Sequence, residues 1–193
     1  MRKQKSLREF YKESFSFIKD SKKYIYSILI IFILFLIVGY FASIPLELES
    51  LLKEKLKEIA LLFQGLNLPA TIWMIFSNNL YVSFLSMILG ILFGFFPLIT
   101  SMSNGFIIGY VMHKAVSLEG ILTLWKLFPH GIFELPAVII SMGIGLRLGM
   151  TLLFKTKLLK KESLRSLFVF LLIIIPLLVI AAIIEGCLVL FIK

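Results

Sequence analysis

Five apolar stretches, separated by bursts of charge or by glycine and proline, set the pattern of this chain. Tyr24 to Ile44 is long enough, at ~1.5 Å per helical residue, to cross a ~30 Å hydrocarbon core. The pattern predicts further spans at about 79–96, 98–116, 131–153 and 167–192, the second opening as early as Thr71 if Trp73 anchors it at the interface. Between the first two spans the period changes. In residues 45–68, Leu48, Leu52, Leu56, Ile59 and Phe63 recur among four glutamates and three lysines, which predicts an amphipathic helix stopped by Gly65. Residues 1–23 show similar spacing at Leu7, Phe10, Tyr11, Phe17 and Ile18, with Ser6 and Glu9 placed as a capping box, and predict a basic amphipathic helix on an anionic membrane surface. Ser117 to Phe128, with Leu118, Ile121, Leu122 and Trp125, reads as a second interfacial helix. The expected fold class is all-α: one polytopic membrane domain of five transmembrane helices plus amphipathic interfacial helices, without an internal repeat.

Small residues refine that picture. The second span carries Ser83, Ser86, Gly90 and Gly94 on one side, the third Gly105 and Gly109, the fourth Ala137, Ser141, Gly145 and Gly149, and the fifth Gly186. Such faces let helix backbones approach in lipid, and any face left over is available for a homodimer. The first span has only Gly39, so it is expected at the periphery against lipid. Pro97 marks a short turn between the second and third spans, and Pro136 is placed to bend the fourth.

Composition and charge then fix the class. The chain of 193 residues is 60% hydrophobic with a mean hydropathy of +1.01, which places it in the membrane. Its net charge of +9 does not point to nucleic acid, because the basic residues flank the spans instead of forming one surface field. Residues 1–23 hold eight Lys/Arg and the 147–165 segment six, against six at Lys53, Lys55, Lys57, Lys114, Lys126 and Lys193. The asymmetry puts the amino terminus and the 147–165 loop in the cytoplasm, residues 45–68 and the carboxyl terminus outside, and the protein in the cell membrane as a multi-pass chain. No removable signal peptide is expected, and the first span acts as its own insertion signal. Cys187 is the only cysteine, so an intrachain disulfide is excluded.

The candidate chemistry centres on Pro129 to Met150. His130 and Glu134 are four apart and share a helical face with Ser141, Gly145 and Gly149. Glu185 in the fifth span lies at a comparable depth, and Asn78, Asn79 and His113 fall on the same side, so six polar groups converge towards the outer half of the bundle. Asn104 stands apart as an interhelical hydrogen-bonding residue. Charged groups in hydrocarbon demand a proton, a partner, a cation or water. Three readings compete for the cluster: it pairs internally to fix helix register, it serves a proton- or cation-coupled transporter or channel, or it holds a metal through His130, Glu134 and Glu185. The zinc-protease HExxH pattern is absent, as are nucleophile and phosphate-loop motifs, so no enzymatic activity and no cofactor are expected; a bound cation is compatible with the donor set.

The motifs HGIFELPA at 130–137 and GLRLG at 145–149, the asparagine pair at 78 and 79, Asn104–Gly105 with Gly109, and the IEG at 184–186 resemble the stage II sporulation protein M family. The resemblance runs through nearly the whole chain and implies a five-span membrane protein. It also implies a scaffold, since the sporulation member holds peptidoglycan-degrading machinery at the septal membrane during engulfment. The expected partners are therefore membrane lipid and other membrane or envelope proteins, with a small transporter as the alternative function.

Overall fold

The computed structural model describes residues 6–191, without the side chains of residues 56, 60, 125–130 and 190–191. The Trp125 and His130 side chains, and residue 192 at the end of the predicted fifth span, lie outside the described residues. The Ser6 hydroxyl accepts the Glu9 N–H, and the Glu9 carboxylate accepts the Ser6 N–H, a reciprocal cap that starts α1 (Leu7–Asp20). Ser21 alone separates α1 from α2 (Lys22–Phe41). Ala42 is already extended, and Pro45 disfavours helical backbone at Ile44, so α2 ends three residues before the predicted limit. The amphipathic helix follows as α3 (Leu46–Leu62), and the chain turns at Gly65 with φ +77°.

The largest shift from the sequence pattern is in the second span. Asn67 accepts the Ala70 N–H with its side chain, and Pro69 sits in the first turn where no donor is needed, so α4 (Leu68–Leu89) begins eleven residues before Asn79. Asn78 and Asn79 therefore lie in the middle of a helix, not at its mouth. The reversal into α5 (Phe95–Glu119) is made at residues 90–94, where Phe93 and Gly94 adopt φ values of 56° and 77°. Pro97 does not make the turn. It occupies the first turn of α5, which tolerates a missing N–H.

A 3₁₀ helix, Ile121–Leu127, leads to α6 (Phe128–Phe154), which continues through Pro136. A short 3₁₀ turn then leads into α7 (Leu159–Val169), a π-helical turn (Phe170–Ile174) and α8 (Ile175–Phe191), which follow one another without a break. The widened turn lies where Pro176 removes a backbone donor and crowds the carbonyl four residues earlier. Among the described residues five helices are long and apolar enough to cross a membrane, and α6 is the most buried of them. Around it pack α2, α4, α5 and α8, while α1 docks on α7.

Backbone approach defines these contacts. The Ser141 hydroxyl donates to the Ser83 carbonyl at 2.6 Å. One and two turns further along, a Cβ at Gly145 would overlap the Ser86 carbonyl, and one at Gly149 would overlap the backbone of Gly90 and Gly94. On the other side, Gly105 and Gly109 of α5 lie against the backbones of Phe32 and Leu36 in α2, Gly39 against that of Phe106, and the Ser101 hydroxyl donates to the Ile28 carbonyl at 3.1 Å. Thus α2 is more than a lipid-facing anchor. It exposes Ile30, Leu34 and Ile37, but its opposite side makes the most extensive helix pair among the described residues, because Ser101, Gly105 and Gly109 of its partner join its own Gly39 in letting the backbones meet.

At the α3 end of the bundle, Glu49 meets Lys114 at 2.7 Å, Lys53 at 3.0 Å and the Tyr110 hydroxyl at 3.5 Å. The Lys114 and Lys53 ammonium groups hold the Glu49 carboxyl well below its ordinary value, at about 2.

Two measurements follow. Gly145→Leu is expected to lower the thermal midpoint in detergent, costing about 3 kcal/mol or more because backbone and not a flexible side chain must yield, whereas Gly131→Ala, which meets only the Leu135 side chain, is neutral or stabilising by up to ~1 kcal/mol. The Glu49 contact is fully present above the ordinary carboxylate range near 4.5, weakens as pH falls below it, and is lost as pH passes about 2. A spin-label distance between α3 and α5 that lengthens only over that acid interval checks the sign.

Candidate functional site

Glu134 lies six residues inside α6, ~9 Å along its axis. It falls on the face that carries Ser141, two turns before the Ser83 contact, so it points along the same α4 seam. There its carboxyl group approaches Asn79 of α4 and Glu185 of α8. Glu185 buries one carboxyl oxygen without a partner. Asn78 is exposed and donates its amide to Asn79 Oδ1 at 3.4 Å.

These four residues line a cavity of about 550 Å³ between α4, α6 and α8. Its remaining wall includes Met74, Ile75 and Tyr81, with Ile59, Leu62 and Phe63 contributed by α3 and the turn after it. The amphipathic helix therefore reaches the polar group and covers part of it. Because α4 starts early, Asn79 comes to the depth of Glu134; a span beginning at 79 would have left the pair outside.

The structure does not gather all six expected groups. His113 is exposed on α5 and packs edge-on against Tyr40 at 5.3 Å, away from the cavity lining. His130 stands on α6 one turn before Glu134, with a side chain outside the described residues. Asn104 is half-buried on α5 beside the Gly105 contact with α2. Gly90, Gly94, Gly105, Gly109, Ser141, Gly145, Gly149 and Gly186 all lie against neighbouring helices, Gly94 against Leu146 and Gly186 against Ile72. Among the described residues no group of three or more His, Cys, Asp or Glu is arranged to hold a metal ion.

A second polar cluster sits at the other end of α6. Arg147 pairs with Glu162 of α7 and donates to the Ser21 hydroxyl at 2.8 Å and the Phe17 carbonyl at 3.4 Å. Arg165 reaches Glu162 at 3.6 Å and Asp20 at 3.5 Å. Both guanidinium groups lie over the fully buried Phe17 ring, at 4.2 and 4.6 Å from its centroid. Two cations and two carboxylates thus balance, and planar guanidinium groups suit the aromatic contacts better than ammonium would. In the sequence this cluster shows only as one arginine within a glycine face and one acid within a basic loop, neither distinctive alone.

An all-helical bundle with five helices able to cross a membrane, organised by glycine contacts and carrying polar groups within three of its spans, is a polytopic membrane protein. The chain belongs to the stage II sporulation protein M family, whose model matches residues 28–189. It is also similar to an uncharacterised protein of Methanocaldococcus jannaschii, 32% identical over 188 aligned residues that cover 86% of this chain and 81% of the relative. No solved structure matches it.

Removing one member of a buried ion pair strands the other. Glu162→Gln is expected to destabilise the protein by about 3 kcal/mol, and Arg147→Lys to lose the Phe17 contact while keeping the charge. Thermal unfolding of the two single variants and the double variant measures their coupling; additivity would refute a shared network.

Proposed function

We propose that this protein is a non-enzymatic scaffold or assembly protein of the cell membrane. The observation that carries this reading is the backbone contact of α6 with α4 at Gly145 and Gly149. A carrier must rearrange its helices around a binding site, and helices in direct backbone contact have little freedom to shift. Towards the α1 end, beyond the carboxyl cavity, the Ser83–Ser141 hydrogen bond and the glycine contacts fill the space through which a solute would pass.

The charge asymmetry assigns the α1 end to the cytoplasm and the α3 end to the outside, making a multi-pass plasma-membrane protein with its carboxyl terminus outside. Membership of the family, whose sporulation member acts as a membrane scaffold, supports a place in envelope assembly. Other membrane or envelope proteins, membrane lipid and a second copy of this chain are the partners this reading implies; no cofactor is required. The cavity under α3 then fixes helix register and supplies a polar surface for a neighbouring envelope protein.

One observation favours a second reading. Glu134, Glu185 and Asn79 meet beside a cavity, an arrangement suited to proton- or cation-coupled transport. Reconstituted proteoliposomes separate the two. On the scaffold reading, proton and sodium flux match protein-free vesicles, and Glu134→Gln changes only stability, by about 1–2 kcal/mol. Flux carried by the wild-type protein and abolished by both Glu134→Gln and Glu185→Gln would make the protein a transporter.

A further inference from the structure

The cytoplasmic base holds a surface that neither reading uses. Helix α1 packs Phe10 against Phe168 of α7, with ring centroids 4.7 Å apart, and buries Ser14 and Phe17 beneath it. The Arg147 and Arg165 guanidinium groups over Phe17 set the rotation of the helix about its own axis. Its other faces are consequently fixed in direction.

Those faces are sorted by chemistry. Leu7, Tyr11 and Phe15, at successive four-residue steps, form an outward apolar stripe, with Leu7 69% and Phe15 61% exposed. Arg8, Lys12 and Lys19 fall within roughly 80° of Phe15 on the flank of that stripe. The acids Glu9, Glu13 and Asp20 fall on the face opposite the stripe, beyond the cations, where Asp20 meets Arg165. Among the described residues no ion pair engages Arg8, Lys12 or Lys19.

Position adds a second constraint. Ser21 is the only residue between α1 and the span α2, so α1 ends where a membrane-crossing helix begins. A 14-residue helix is ~21 Å long and cannot carry its apolar stripe far from that boundary. We propose that α1 is a docking element for anionic phospholipid: the Leu7–Tyr11–Phe15 stripe enters the headgroup–acyl boundary of the adjoining leaflet, and Arg8, Lys12 and Lys19 bind its phosphate groups. A helix with apolar residues flanked on one side by cations and cleared of acids there is matched to that surface. Since the buried side of the same helix is clamped by Arg147, lipid engagement bears directly on the central helix α6.

The full chain in proteoliposomes tests this, with Cys187→Ser as background and a nitroxide attached at Phe15→Cys or, on the far flank, at Ser16→Cys. Both sites are exposed, so neither substitution disturbs the core. In phosphatidylcholine vesicles containing phosphatidylglycerol, the label at 15 should collide with oxygen in preference to an aqueous nickel chelate, and the label at 16 should do the reverse. Adding Lys12→Glu and Lys19→Glu should reduce the preference at 15 roughly tenfold or more, and omitting phosphatidylglycerol should have the same effect. Equal aqueous exposure at both sites overturns the proposal. So does an oxygen preference at 15 that is indifferent to phosphatidylglycerol, and so does protection from both reagents, which indicates a protein neighbour.

Discussion

In a bilayer an apolar helix gains almost nothing by exchanging lipid for another apolar helix, so close association has to come from backbone approach and interhelical hydrogen bonds. The face of α6 that carries Ser141, Gly145 and Gly149 meets this constraint against α4, and the α2–α5 pair meets it through Gly39, Gly105 and Gly109. With side chains absent at the crossings, carbonyls and amides face each other directly, and small shifts become costly. Remaining features take their places from this register: Glu134 comes to the depth of Asn79, and Arg147 emerges where α1 and α7 can enclose it.

The two ends of α6 hold different polar arrangements. Around Arg147, opposite charges and an aromatic ring compensate one another, and the acidic partners come from α7 and α1. Around Glu134, two carboxyl groups and an amide meet without a cation among the described side chains, beside a cavity. The first arrangement closes a junction between elements distant in the chain. The second keeps open space beside two carboxyl groups, which is why a transport reading persists beside the scaffold reading.

The amphipathic helices complete the two ends asymmetrically. The cover α3 is held through Glu49 to α5 and contributes Ile59 and Leu62 to the cavity wall. The base helix α1 is held by the Arg147–Glu162–Arg165 cluster. The family match begins at residue 28, so it includes α3, both glutamates and the two arginines, while α1 with Phe17 and Asp20 precedes it. This chain thus joins its amino-terminal helix to the matched core through a small number of charged contacts.

Much of this was legible in the linear pattern. Membrane location, five spans, the Ser6–Glu9 cap, the character of α1 and α3 and the small-residue faces all follow from short-range periodicity and composition, which depend on neighbours within a turn or two. Span limits were less legible: the cap at Asn67 and the left-handed residues at 93–94 moved α4 and its turn, because hydropathy averages over caps that act at single atoms. Which spans touch was not legible at all. Equal depth suggested that His113 belonged with Glu134 and Glu185, yet pairing α5 with α2 turned it towards Tyr40. The Arg147 cluster was hidden for the same reason, since Phe17, Asp20, Arg147 and Glu162 are scattered along the chain and acquire meaning only when α6 and α7 fold back onto α1. Sequence alone determined the elements and their membrane setting; tertiary structure decided the neighbours, because helix azimuth is set by backbone contacts that no local pattern records.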